Sequence, residues 1–286
     1  MTIRALTSPT LSRLIVGMAP LETALDSLRE HGFAIARVSA TDAAVLREAI
    51  AQASLVLSHV HAEGLTVKHV GPVTGHDASV ALASFRERAQ LRYEPVNDDG
   101  GGCSTLHASV ATGTAVLSRL ATGHLAALRD QIESGAPLDC HAQLDAFWYP
   151  GEQRWRELHA ADELPAPCPA HEDAGMLTAI YDDHSALQVQ LRDGSWGNVE
   201  LREDEVALVV GRALSAISRG RLPACTHCVR AVAPSRTSLV LDTLPAEDGL
   251  RARSKAEAAK AAASPDASAD EKYARTVGAL LATQSA

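Results

Sequence analysis

Aromatic side chains are scarce: phenylalanine, tryptophan and tyrosine together make up 3% of the 286 residues. A core built with so few must come from aliphatic residues and alanine, and 46% of the chain is hydrophobic, enough for a large one. Long apolar runs are also missing. The longest near the start, LIVGMA at 14–19, is far too short to span a bilayer. Basic clusters are absent too. Against 26 Lys+Arg stand 35 Asp+Glu, a net charge of −9, which argues against nucleic acid as a main partner. Cysteines number five, at 103, 140, 168, 225 and 228. An odd, scattered set is no disulfide framework and fits reduced thiols in a cytoplasmic protein. Residues 1–21 lack acids and carry Arg4 and Arg13, the composition of a transit segment, yet the helix pattern after them reads as part of the fold.

Three textures follow one another along the chain. Residues 1–138 read as a helical region. Apolar residues at helical spacing (Leu21, Ala24, Leu25, Leu28) stop at Gly32 and pass into a strand, FAIARV; DAAVLREAIAQASLVLSHV then forms a second helix with Asp42 available as its cap. The stretches 78–91 and 113–134 continue the helical series, with a loop of three glycines at 100–102 between them. Residues 139–245 alternate short β-patterned runs with turns, the habit of a sandwich or barrel. Residues 246–286 form an Ala-rich tail ending in a short helix. The expected class is α+β, one structural unit with helices packed on an antiparallel β core.

One constellation carries chemistry. In HEDAGMLTAIYDD, His171 and Asp173 are two apart, and on a strand such residues project from the same face. With His227 as a third ligand they make two histidines and one carboxylate, the facial set of non-haem Fe(II) oxygenases. Further on, Arg236 and Ser238 again share a face. An arginine fork beside a hydroxyl suits a carboxylate, and a buried arginine facing a metal pocket otherwise lacks a partner, which points to an acidic cosubstrate. The segment CTHC at 225–228 invites a zinc reading instead. The strand pattern opposes it: Cys225 and His227 share one face while Cys228 points to the other, and no second CxxC completes a tetrahedral site. Ala233, Pro234 and Ser235 supply a turn that lets both His227 and Arg236 point inward.

These residues resemble the isopenicillin N synthase-like 2-oxoglutarate/Fe(II)-dependent dioxygenases. FWYP at 147–150 looks like the family's N-x-Y-P strand, HEDAGMLTAIYDDHSALQVQLRDGSWGNV resembles its H-x-D-x-G-x-L-T, G-L-Q-V and G-x-W-x-x-V segments, and HCVRAVAPSRTS resembles H-R-V followed by R-x-S. Three positions depart from the pattern: Phe147 replaces the asparagine of N-x-Y-P, Arg212 the aspartate of G-D-x-L, and Cys228 the arginine of H-R-V. The resemblance implies a double-stranded β-helix, or jelly roll, with Fe(II) on His171, Asp173 and His227. It implies that Arg236 and Ser238, with Tyr149 helping, bind the distal carboxylate of 2-oxoglutarate, and that no catalytic residue is needed beyond the metal ligands. The implied reaction consumes O2 and the keto acid, releases succinate and CO2, and oxidises a C–H bond of a small molecule by hydroxylation, desaturation or cyclisation. A monomer or homodimer with no nucleic-acid or membrane partner is expected. Two alternatives stand beside it: a cosubstrate-free iron oxidase that grips its substrate's own carboxylate with the Arg/Ser pair, and a non-catalytic jelly-roll binding module.

Overall fold

The computed structural model describes residues 21–62, 68–70, 78–84, 89–95, 105–132, 140–159, 166–231 and 234–245. The acid-free residues 1–20, the glycine loop and the Ala-rich tail lie outside them. Helix α1 (Leu21–His31) leads into strand β1 (Phe33–Arg37) through Gly32. That glycine has φ +68°, and its N–H donates to the Leu28 carbonyl at 3.0 Å. A Cβ there would lie 2.1 Å from the Pro223 carbonyl oxygen, so both the conformation and the space require glycine. Helix α2 (Ala40–Ala62) begins two residues before Asp42. Its cap is Ser39, whose Oγ accepts from the Asp42 N–H at 3.1 Å and bonds the Asp42 carboxylate at 3.0 Å. Asp42 is thus the third residue of the first turn, reaching back to the cap, rather than the cap itself.

The stretch 78–91, expected to be helical, forms strands. After β2 (Lys68–Val70), β3 (Ala78–Ser84) and β4 (Ala89–Pro95) pair in antiparallel register along their whole length. Alanine suits either state, so pairing partners decide: β4 is seated on β5 (Cys140–Tyr149), with Leu91 opposite Ala146. Helix α3 (Thr105–Ala127) and a 3-10 turn (Arg129–Gln131) close the first part of the chain. Gly113 of α3 lets it approach α2, since a Cβ there would sit 2.8 Å from that of Ala49. No helix among the described residues is long and apolar enough to cross a membrane.

The later elements are short, as the turn signals foretold: α4 (Glu152–Leu158), β6 (Cys168–His171), β7 (Leu177–Asp182), β8 (Leu187–Gln190), β9 (Trp196–Asn198), β10 (Glu205–Val210), α5 (Arg212–Ile217), β11 (His227–Val229) and β12 (Arg236–Pro245). They build two antiparallel sheets. The larger has the order β1-β10-β7-β12-β5-β4-β3-β2, the smaller β6-β11-β8-β9. The period of two along each strand divides the core. Leu239 and Leu241 of β12, Leu177 and Ala179 of β7, and Leu208 of β10 pack in one cluster with Leu46 and Leu57 of α2 and Leu117 of α3. The alternating residues Val240, Ile180, Ala207 and Val209 join Leu187 and Val189 of the small sheet in a second cluster. The large sheet therefore carries helices on one face and the small sheet on the other.

Candidate metal centre and carboxylate clamp

His171 ends β6 and His227 begins β11, and the two are directly paired across those strands. His227 also pairs with Val189 of β8, so it shares the inward face of the small sheet, whereas Cys228 pairs with Gln188 and turns outward. Asp173 arrives differently from the expectation of a common strand. It lies beyond the end of β6, in the turn before β7. Main-chain bonds pin that turn to the start of α5: Arg212 N–H to the Asp173 carbonyl at 2.8 Å, Ala213 N–H to Gly175 at 3.0 Å, and Gly211 N–H to Met176 at 2.9 Å. Gly211 is needed because a Cβ would fall 2.2 Å from the Gly175 carbonyl oxygen.

The three side chains converge. One potential ligand atom from each lies within 4.8 Å of the others. Nε2 of His171 and of His227 stand 3.4 and 3.7 Å from Asp173 Oδ1. Both Nδ1 atoms face carbonyls, that of Pro169 at 2.8 Å and that of Cys225 at 3.2 Å, so each imidazole can donate from Nδ1 and keep Nε2 as a lone pair for an ion. Oδ2 of Asp173 is buried without a hydrogen-bond partner, a cost that a cation would remove. The donor set thus fits a divalent ion of intermediate softness such as Fe(II). The electrostatics show the strain of leaving these groups together. The Asp173 carboxylate, with Cys168 adding to it, pushes His171 up to about 11. Burial pushes the Asp173 carboxyl up as well, but His171 and His227 outweigh it and hold that carboxyl below the usual range. Burial holds His227 down. His171 is the open side of the group at 41% side-chain exposure, against 5% for His227.

A second group lies on the face of the large sheet that meets the small one. Arg236 pairs with Tyr149 across β12 and β5, and Ser238 pairs with Phe147 on one side and Asp182 on the other. Arg236 Nη1 donates to Ser238 Oγ at 3.2 Å, and its guanidinium carbon stands 6.0 Å from the Tyr149 ring centre. The three expected carboxylate-binding residues are therefore together. One expectation fails: Arg236 does not lack a partner. Its Nη2 donates to Asp182 at 2.9 Å and its Nε to the His184 carbonyl at 3.2 Å. Sequence reasoning passed over Asp182. The only available signal was the doubled aspartate after LTAIY, whose second member, Asp183, accepts from the Thr237 N–H at 2.8 Å. Cys225, whose carbonyl faces His227 Nδ1, belongs to the second apolar cluster, where burial, with Asp173 and Glu172 adding to it, pushes its thiol up to about 12.

Residues 149–244, which contain all six of these side chains, match the model of the 2OG-Fe(II) oxygenase superfamily. The match spans about a third of the chain. Fe(II), 2-oxoglutarate and O2 are the reactants that define the family, in keeping with the resemblance read from the motifs. Over 70 residues the chain is 31% identical to 2-oxoglutarate-dependent dioxygenase AOP3 of Arabidopsis thaliana, an alignment covering 24% of this chain and 17% of that protein. A putative oxygenase from Shewanella oneidensis superposes with a TM-score of 0.57 at 20% identity, covering 79% of this chain and 86% of that one. The rice dioxygenase for auxin oxidation gives 0.58 at 17% identity over 80% and 79% of the two chains. Neurospora crassa T7H, solved with alpha-KG and 5-formyluracil, gives 0.57 at 15% over 79% of each. At such identities the superpositions establish a shared architecture, helices with antiparallel sheets.

Proposed function

We propose that the protein is an Fe(II)/2-oxoglutarate-dependent oxygenase acting on a C–H bond of a small molecule, with the two facing sheets as the walls of a double-stranded β-helix. The observation that carries this reading is the convergence of His171, Asp173 and His227 at the inner edge of the small sheet. These three residues hold Fe(II), which when bound supplies the activation of O2 coupled to decarboxylation of the keto acid. The rest is the chain's work. The Pro169 and Cys225 carbonyls fix both imidazole tautomers, the turn pinned to α5 aims the Asp173 carboxylate, and Arg236, Ser238 and Tyr149 receive the distal carboxylate of 2-oxoglutarate. The two sheets exclude water from the space between them. The 139–245 core and its amino-terminal elements form one structural unit, which works as a monomer or homodimer without nucleic acid.

Addition of Fe(II) and 2-oxoglutarate without O2 tests this directly. The weak visible charge-transfer band of a chelated keto acid is expected in the wild type and absent in His171→Ala. A band that survives the substitution refutes the ligand assignment. A second reading, a cosubstrate-free oxidase, draws on one observation, the partner that Arg236 already has in Asp182. That reading predicts substrate-dependent O2 uptake with no band at any 2-oxoglutarate concentration.

A further inference from the structure

The charge balance of the clamp is unusual for a carboxylate receptor. Arg236 and Asp182 are each 2% exposed in their side chains and lie 2.9 Å apart. Of the five N–H groups of the guanidinium, three are directed at Asp182, the His184 carbonyl and Ser238. An incoming carboxylate therefore meets a neutral ion pair. It gains the attraction of Arg236 and suffers the repulsion of Asp182 at nearly the same depth.

We propose that Asp182 competes with the distal carboxylate of the keto acid for Arg236, setting the affinity for 2-oxoglutarate and coupling its binding to uptake of a proton. This rests on the reading of Arg236, Ser238 and Tyr149 as the cosubstrate clamp. Two carboxylates sharing one guanidinium at about 6 Å repel by an amount worth roughly tenfold to a hundredfold in affinity at an effective dielectric near 20. The conflict is relieved when Asp182 is protonated. Burial pushes its carboxyl up by more than Arg236 pulls it down; Asp183 adds to the push, and His184 opposes it. From β12 the residues facing it are Arg236 and Ser238. On its own element they are Asp183 and the imidazole of His184, while Tyr181 points into the helix-side cluster.

The test compares 2-oxoglutarate with its distal amide, 2-oxoglutaramate, in anaerobic Fe(II)-loaded protein, reading Kd from the chelate band. Both ligands share the keto-acid head, so effects at the metal centre cancel in the ratio of their constants. In Asp182→Asn the Kd for 2-oxoglutarate is expected to fall about tenfold or more while that for the amide changes less than about threefold. Constants that move together, or not at all, overturn the proposal, because a merely structural role for Asp182 affects both ligands alike. Should the variant not fold, the wild type suffices: the preference for 2-oxoglutarate over the amide rises as pH falls from 8 to 6, and does so equally in His184→Asn. A flat ratio, or a slope lost in His184→Asn, overturns it. If no band forms with either ligand in wild type or variant, the cosubstrate reading itself fails and the proposal falls with it. A wild-type band with an unshifted ratio removes the proposal alone.

Discussion

Two histidines whose Nδ1 atoms are committed to backbone carbonyls have little freedom left. The Pro169 and Cys225 carbonyls select which nitrogen each ring offers, and the Asp173 carboxylate lies where both offers meet. Its placement depends on Gly211, whose lack of a side chain leaves room for the Gly175 and Asp173 carbonyls. Gly211→Ala puts a methyl 2.2 Å from the first and 3.1 Å from the second, and the turn carrying Asp173 must move. Titration with Fe(II), or with Mn(II) as an air-stable substitute, is expected to show at least about tenfold weaker binding, roughly 1.4 kcal/mol, while far-UV circular dichroism stays near wild type. Unchanged affinity means the turn does not aim the carboxylate. At this scale the three converging side chains were legible beforehand because each is a residue of defined chemistry in a motif. Asp182 was not, since its bond to Arg236 joins positions 54 apart and leaves no local pattern.

Among the elements, helices announced themselves better than strands. The apolar stripe of α2 and the stop at Gly32 are local signals, whereas the alanine-rich β3 and the mixed β4 become strands through their pairing with each other and, for β4, with β5. The strand expected to carry both His171 and Asp173 instead ends, as β6, at His171. CPAH is four residues long with a proline inside, and only its partner β11 defines it as a strand. The start of α2 was misjudged by a few residues for a related reason: Ser39 and Asp42 both suit a cap, and three-dimensional geometry chooses the first. Ser39→Ala removes the acceptor for the Asp42 N–H, and is expected to lower stability by about 1 kcal/mol in urea or guanidinium unfolding. Asp42→Ala should cost less, since the half-buried Asp42 is not the cap and its ion pair with Arg119 lies at the surface. The reverse order would restore Asp42 as the capping residue.

Across the whole molecule, the metal centre joins distant parts of the chain. Its three proposed ligands come from β6, β11 and the turn before β7, and that turn is tied both to α5 and, through the Met176 N–H, to the Thr243 carbonyl of β12 at 2.7 Å. An ion held by the three side chains binds the native state alone, so it stabilises the entire fold. At one hundred times its Kd the gain is about 2.7 kcal/mol, expected to raise the unfolding temperature by roughly 5 °C or more, with EDTA reversing it and His227→Ala abolishing it. A shift that persists in the variant places the ion elsewhere.

The main-chain bond from Arg212 to Asp173 has an evolutionary corollary. What holds the carboxylate-bearing turn at this position is an N–H, present in every residue but proline. The side chain at 212 is accordingly decoupled from the geometry of the metal centre. An arginine there makes the same main-chain bond that an aspartate would, although the charge at that position is reversed. Position 212 is thus open to drift, and proline is the one substitution the metal centre forbids.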